Sequence, residues 1–351
     1  MSALIPQISS NLPDDRAPAY LDAVDRLKEF SQRADGAYSP NTFRAWVSDC
    51  KVFWQFCEAN GLKGLPADGN TVCQFIDDYG SLYTAGGQKL KLGDTPSGEF
   101  FAKRSLATIK RYIASISVVH RAADLPDPTK THYVELALRT VKRLHAAFRK
   151  STQAQAAPLH LSTLETGFSA LKDRPIDHFT RALVSLAYDC LCRPEDLPRL
   201  DIDDIGFESD GSGVLYIGRS KTDPFGEGKH LYISKTTMCY LSTWLGIAGI
   251  RSGPLFRAVN NAGNVGEGRV SYMAVNRAMK RVAKAAGIEE RGVSGHSCRV
   301  GAAQDLLSHG FGLAEIMQAG RWTSERMPAR YTEKIAASRG GMAKYCENLA
   351  R

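Results

Sequence analysis

The feature that most limits the architecture of this chain lies near its middle, where Ser-Thr-Gln-Ala-Gln-Ala-Ala-Pro at positions 151–158 carries no apolar period. Such a stretch buries nothing and separates the residues before it from those after it. With 351 residues, the chain is long enough for two compact units with separate cores. We assign residues 1–16 to an N-terminal tail, 17–150 to a first domain, 151–158 to an interdomain linker and 159–351 to a second domain.

The two sides of the linker are patterned differently. In the first domain, Ser39-Pro40 forms an N-cap and first-turn pair, Phe43, Trp46, Val47, Phe53, Trp54 and Cys57 fall on one helical face, and Asn60-Gly61 stops the helix. Similar spacing recurs at Val72, Phe75, Ile76 and Tyr79, and at Leu106, Ile109, Ile113 and Ile116, before Leu-Pro-Asp-Pro at 125–128 breaks the chain. This domain reads as a helical bundle, with an insertion at 84–98 read as a flexible loop. In the second domain, helical segments surround one clear β signal. Val-Leu-Tyr-Ile at 214–217 and Lys-His-Leu-Tyr-Ile-Ser at 229–234 are strand-like, and Pro224, Gly226 and Gly228 between them predict a hairpin. The fold class is therefore mainly α with a small antiparallel β-sheet.

Lys and Arg total 45 against 37 Asp and Glu, a net charge of +8. This favours a polyanionic partner such as nucleic acid without requiring one. No apolar run approaches the ~18 residues of a membrane helix. The first 16 residues lack a basic segment followed by an apolar one, so neither a membrane span nor an export signal is expected, and the cytoplasm is the expected location. Eight cysteines without a C-x-x-C pair suit buried thiols of a reducing compartment.

Three catalytic or binding signatures fail on inspection. The segment from Gly213 to Ser220 nearly spells a phosphate-binding loop, but Arg219 stands where lysine is required and a strand lies between the glycines. Cys190-x-Cys192 and His296-x-Cys298 lack zinc spacing, so no metal site is expected. No Gly-x-Ser-x-Gly elbow anchors a hydrolase triad.

There remains a set of polar residues in otherwise apolar segments. Arg193 comes after the apolar run at 183–192, where a guanidinium needs an anion: either a carboxylate such as Asp196 or Glu195, or a ligand. His296 and Arg299 stand three apart at the start of a helix, a face that suits either a phosphate or a structural pair. Trp322 and, nine residues later, Tyr331 complete the set.

This ordered set, Arg193, Lys221 on the hairpin, the run Ser-Gly-His-Ser-Cys-Arg-Val-Gly-Ala-Ala at 294–303, Ala-Gly-Arg-Trp at 319–322 and Tyr331, resembles the tyrosine site-specific recombinases of the phage integrase family, in particular the Cre-like phage and plasmid members. The resemblance extends over most of the chain. It implies a helical core DNA-binding domain and a catalytic domain that together form a C-shaped clamp on duplex DNA. Tyr331 is then the nucleophile, leaving a 3′-phosphotyrosyl link and a free 5′-hydroxyl. His296 accepts a proton or donates a hydrogen bond, Arg193 and Arg299 grip the non-bridging oxygens, Lys221 protonates the leaving 5′-oxygen, Trp322 packs beside the phosphate, and Asp196 supports the geometry with a partner that the sequence leaves open. The link conserves the energy of the broken bond, so neither ATP nor a metal is expected.

The same resemblance places Thr42, Arg44, Lys51, Lys103, Arg104, Lys110 and Arg111 of the first domain, and Arg277, Lys280, Arg281 and Lys284 of the second, as candidate DNA contacts; for the last group a solvated basic helix face is the competing reading. It also implies an inverted-repeat target, a homotetramer on two sites formed by a protein that is monomeric in free solution, a bacterial or phage setting, and a C-terminal docking helix at 336–349 with Met342, Tyr345, Cys346 and Leu349 on one face. A non-cleaving regulator and a type IB topoisomerase-like enzyme are the alternatives. The complete residue set argues against the first, and the helix beyond Tyr331 against the second.

Overall fold

The computed structural model describes residues 18–95, 98–148, 155–218, 228–260 and 262–349. The expected tail, the linker at 151–154 and the hairpin turn with Lys221 lie outside them. The chain divides into two compact units, Met1–Gln153 and Ala154–Arg351.

The first unit is built from α1 (Pro18–Arg33), α2 (Pro40–Ala59), α3 (Gly69–Gly80), the short strands β1 (Leu82–Thr84) and β2 (Phe100–Ala102), α4 (Leu106–Ala122) and α5 (His132–Ala147). Four of these helices begin on a side chain that satisfies an otherwise orphan backbone donor: Ser39 accepts from Thr42, Asp68 from Thr71, Ser105 from Thr108 and Thr131 from Val134. Their apolar faces meet in one core around the fully buried Phe53, Val72, Phe75, Ile76, Ile109 and Ile116. The insertion at 84–98 is tied down at its ends and at Leu90. Its flanks pair antiparallel, Leu82 with Ala102 and Thr84 with Phe100, and Leu90 tucks against Leu82 and Leu144. Three-residue strands are too short to show an alternating pattern, so the sequence gives no sign of them.

The second unit runs α6 (Leu161–Ala170), α7 (Pro175–Asp189), β3 (Ile205–Phe207), β4 (Gly213–Ile217), β5 (Lys229–Ile233), α8 (Lys235–Ala248), β6 (Arg257–Val259), β7 (Val265–Arg269), α9 (Tyr272–Ala285), α10 (Ser297–Ser308), α11 (Leu313–Gly320), α12 (Arg326–Arg339) and α13 (Gly341–Asn348). Strands β4 and β5 form the expected hairpin, with Val214 opposite Tyr232, and β3 adds a third antiparallel strand. A second hairpin, β6–β7, escaped the sequence reading because β7 is Val-Gly-Glu-Gly-Arg, with almost no apolar side to bury. The sheets are thus all antiparallel in a mainly helical chain. The core gathers α7, α8 and α9 around Phe179, Trp244 and Phe256, and the Trp244 indole donates to the Leu255 carbonyl at 2.9 Å.

One expectation is corrected at the C-terminus. The segment 336–349 is not a single helix: Ala336 to Arg339 is the last turn of α12, the helix that carries Tyr331, and the chain breaks at Gly340 (ψ −175°) before α13. A Cβ at Gly340 would lie 2.5 Å from the Ala336 carbonyl oxygen, which is why glycine makes the corner. On α13 and at its C-cap, Met342, Tyr345 and Leu349 are at least half exposed.

Among the described residues no helix is long and apolar enough to cross a membrane.

Candidate active site

Helix α7 ends at Cys190, and the next residue, Leu191, takes φ 43°, a left-handed turn that a branched side chain adopts only at a cost. The turn delivers Arg193 to the surface of the core, where it is half-buried. From another direction, His296 occupies the N-cap of α10 and Arg299 its first turn. Arg299 is only 2% exposed, among the largest fully enclosed side chains of the protein. Its guanidinium donates to the carbonyls of Leu191 and Gly320, tying the α7 turn to the end of α11.

The face of the Arg299 guanidinium lies 4.0 Å from the Trp322 ring centroid, a cation–π contact. Trp322 in turn meets Tyr331 edge to face, with centroids 5.8 Å apart at 67°. A Cβ on Gly320 would lie 1.9 Å from the Trp322 ring, so the glycine is what lets the indole fold back over the arginine. The backbone of Tyr331 is pinned as well: its carbonyl accepts from Gln304 Nε2 at 2.8 Å and from Gln155 Nε2 at 3.3 Å.

Asp196, 3% exposed, pairs with Arg321 rather than with the arginine three residues before it. Its Oδ2 lies 2.7 Å from Arg321 Nη2 and also accepts the Arg193 backbone N–H at 3.2 Å. The Asp196 carboxylate is thus held by the Arg321 guanidinium and the Arg193 backbone, while the charges of Arg193, Arg299 and Arg321 lie close enough to act on one another. Burial drives the Arg299 pKa down to about 9, with the positive charges of Arg193 and Arg321 adding to the effect. Burial likewise lowers Arg193, against the opposing pull of Asp196. A cluster with this surplus of cationic groups suits an anion with several oxygens.

The structure thus brings Arg193, Asp196, Arg299, Trp322 and Tyr331 into one continuous set of contacts and interactions. His296 stands at the N-terminus of α10, half-buried, its backbone N–H donating to Ser294 Oγ at 3.4 Å. Lys221 falls outside the described residues. Arg321, Gln155 and Gln304 were not singled out from sequence. The Gly-Arg-Trp triplet was visible, but nothing in it says that the arginine turns inward. The thiols of Cys190 and Cys298 are buried and pushed far up, consistent with inert packing groups. Among the described residues no cluster of His, Cys, Asp and Glu is arranged to hold a metal ion.

The candidate DNA contacts divide. In the first unit Arg44, Lys51 and Lys110 are exposed. The Thr42 hydroxyl bonds Ser39 within the helix cap, Lys103 pairs with Asp78, Arg104 reaches the Tyr112 hydroxyl at 3.1 Å, and Arg111 pairs with buried Asp49 at 2.8 Å. On α9, Arg277, Lys280 and Lys284 are exposed, whereas Arg281 turns toward buried Asp177, at 3.9 Å. The Arg281 guanidinium thus lies beside a carboxylate of the core, unlike the three exposed cations of this helix.

Comparison with known proteins bears on this cluster. The chain is 26% identical over 362 residues to the recombinase Cre of Escherichia phage P1, covering 97% of this chain and 98% of that protein. It is 26% identical over 320 residues to an integrase/recombinase XerD homolog of Selenomonas ruminantium, covering 86% and 84%. Its fold is similar to that of the XerH site-specific recombinase bound to a palindromic difH substrate in a post-cleavage complex, with a TM-score of 0.56, 15% identity, and coverage of 94% and 90%. Residues 159–337, which carry every member of the cluster above, match the model of the phage integrase family. The chain belongs to that family, the tyrosine recombinases, enzymes that cleave and rejoin DNA.

Proposed function

We propose that the chain is a site-specific recombinase that cuts duplex DNA through a 3′-phosphotyrosyl intermediate at Tyr331 and exchanges strands between two target sites. The observation that carries this reading is the layered contact of Arg299, Trp322 and Tyr331 beside the Arg193 turn. A tyrosine of pKa ~10 is ionised to about one part in a thousand at neutral pH, so its attack on phosphorus needs cationic groups that stabilise the growing charge on the non-bridging oxygens. Arg193 and Arg299 supply them as planar forks. His296 takes or shares the phenolic proton, Lys221 returns one to the departing 5′-oxygen, and Asp196 holds the Arg193 turn. The phosphodiester energy is kept in the tyrosyl link, so attack by a 5′-hydroxyl reseals the strand, and no metal or ATP enters the route.

In this reading 17–150 and 159–351, joined by 151–158, both contact an inverted-repeat duplex, through Arg44, Lys51 and Lys110 in the first and Arg277, Lys280 and Lys284 in the second. The protein, monomeric when free, assembles as a tetramer on two sites in the cytoplasm of a bacterium. The half-exposed apolar residues of α13 support such assembly, since a helix of eight residues with Met342 and Tyr345 in water gains by docking on a second copy.

Incubation with a pool of nicked duplexes of randomised sequence, then a denaturing wash and sequencing of the DNA that stays attached, is expected to yield a covalent adduct enriched in an inverted repeat. Tyr331→Phe is expected to abolish the adduct; one that survives this change overturns the assignment of the nucleophile.

A further inference from the structure

Arg321 occupies the C-cap of α11 in the left-handed region, φ 54° and ψ 46°, where L side chains are disfavoured. Its side chain nevertheless turns inward, to 6% exposure, and reaches Asp196 across 125 residues of sequence. Two buried groups nearby are left without hydrogen-bond partners among the described residues: Asp196 Oδ1 and Arg193 Nη1. Asp196 and Arg193 lie three residues apart, and the Asp196 carboxylate already accepts the Arg193 backbone N–H, yet the two side chains make no ion pair. The carboxylate is held instead by an arginine from another element. A guanidinium locked to a carboxylate has lost the fork it needs for a phosphate. Remove the Arg321 charge, and Arg193 is the cation left beside an uncompensated buried carboxylate, which strongly favours pairing.

We propose that Arg321 is a positioning residue for strand cleavage, which engages Asp196 and thereby keeps the Arg193 guanidinium available to the scissile phosphate. The proposal rests on the reading of Tyr331 as nucleophile. Arg321 need not touch DNA, and its Nε and Nη1 are themselves enclosed. It acts through Asp196, and the depression of the Arg299 pKa by its charge shows that it belongs to the same electrostatic cluster.

The test measures single-turnover adduct formation on a nicked duplex recovered from the randomised pool, for the wild type, Arg321→Gln, Arg321→Gly, Asp196→Asn and the double variant Arg321→Gln with Asp196→Asn. Arg321→Gly guards against misfolding, because glycine is unstrained at this φ. Both single changes at 321 are expected to slow cleavage by ~10²-fold, the cost of a misplaced reacting group, with DNA affinity little altered. Removing the freed carboxylate in the double variant is expected to restore rate by on the order of tenfold over Arg321→Gln, a coupling typical of contacting residues. A merely structural arginine predicts the reverse, a double variant no faster than the single one, and that result overturns the proposal, as does wild-type rate in Arg321→Gln or Arg321→Gly. Failure of the wild type to form an adduct overturns the reading of Tyr331 and this proposal with it, whereas a wild-type adduct lost in Tyr331→Phe leaves the rate ratios to decide on Arg321 alone.

Discussion

Asp49 in the first unit and Asp196 in the second are buried to nearly the same depth, 1% and 3% exposed, and their surroundings treat them in opposite ways. Asp49 is complete: Oδ1 takes Arg111 Nη2 at 2.8 Å, Oδ2 takes Ser115 Oγ at 2.9 Å, and the pair ties α2 to α4. Around Asp196, Oδ1 has no hydrogen-bond partner among the described residues, and neither have Arg193 Nη1, Arg321 Nε and Arg321 Nη1. A buried polar atom left unpaired costs on the order of 1–3 kcal/mol, so a fold does not accumulate four around one carboxylate without compensation. The Asp49 cluster serves the architecture alone. Among the described residues the Asp196 cluster is incomplete, as expected of groups arranged for a reaction rather than for stability.

The sharpest way to break this comparison is at Arg299. Arg299→Ala is expected to lower the single-turnover cleavage rate by ~10²–10³-fold, the cost of losing about 2.7–4 kcal/mol of stabilisation of a developing oxyanion. Its pH dependence carries a second signature. Burial brings the folded-state pKa down to about 9, below that of the unfolded chain, so the charge is intact at neutral pH and is lost as pH rises through about 9. Cleavage is expected to decline over that range. Folding responds with the opposite sign: the cost of burying this charge is felt in full below about 9 and is relieved as pH rises from there toward the unfolded-state value, because over that range the unfolded chain binds more protons than the folded one. An activity profile still rising well above pH 9 removes Arg299 from its role.

A smaller effect, confined to stability, is expected at the other carboxylate. Asp49→Ala leaves the Ser115 hydroxyl, itself 2% exposed, without its acceptor, at a cost of about 1–3 kcal/mol in denaturant unfolding. Arg111, more than half exposed, returns to water. Below the melting transition the cleavage rate per folded molecule is expected to stay within about twofold of wild type. A loss on the scale of Arg299→Ala would mean that the two carboxylates are not different in kind.

Part of the fold and of the site around Asp196 could be read before the fold was known, and the contrast with Asp49 could not, for definite reasons. Helices with strong periods and capping residues, such as α2 from Ser39 to Asn60, announce themselves because cap and stripe are both local. The β4–β5 hairpin does so through its turn residues. The cluster of Arg193, His296, Arg299, Trp322 and Tyr331 was legible as a set through its resemblance to a family, in which order and spacing stand in for geometry. The partner of Asp196 was not, because 125 residues separate it from Arg321 and a helix C-cap that bends an arginine inward has no sequence signature. The division at Gly340 was missed because apolar residues continue at helical spacing on both sides of it. The nearness of Arg281 to Asp177 was not legible because an exposed basic face and a basic residue beside a neighbouring helix look alike until Asp177 is placed beside one of them.

The smallest effects extend the same distinction, between cations that serve the protein's own carboxylates and cations left for a polyanion, to α9. Arg277, Lys280 and Lys284 are exposed along the helix, while Arg281 faces Asp177, a fully buried carboxylate that also receives Arg174 at 2.7 Å. A side chain that neutralises a phosphate releases a counterion, so each alanine substitution at 277, 280 or 284 is expected to weaken DNA binding about equally on any sequence and to reduce the slope of log K against log salt by ~1. Arg281→Ala is expected to leave that slope unchanged and to lower the unfolding midpoint instead, because the cation it removes attends a carboxylate inside the protein. Fluorescence anisotropy with a labelled duplex over a range of salt separates the two classes. A slope that falls for Arg281→Ala as much as for Lys280→Ala would show that the contact with Asp177 gives way when DNA binds, and that burial of a carboxylate does not by itself mark which arginines are available to phosphate.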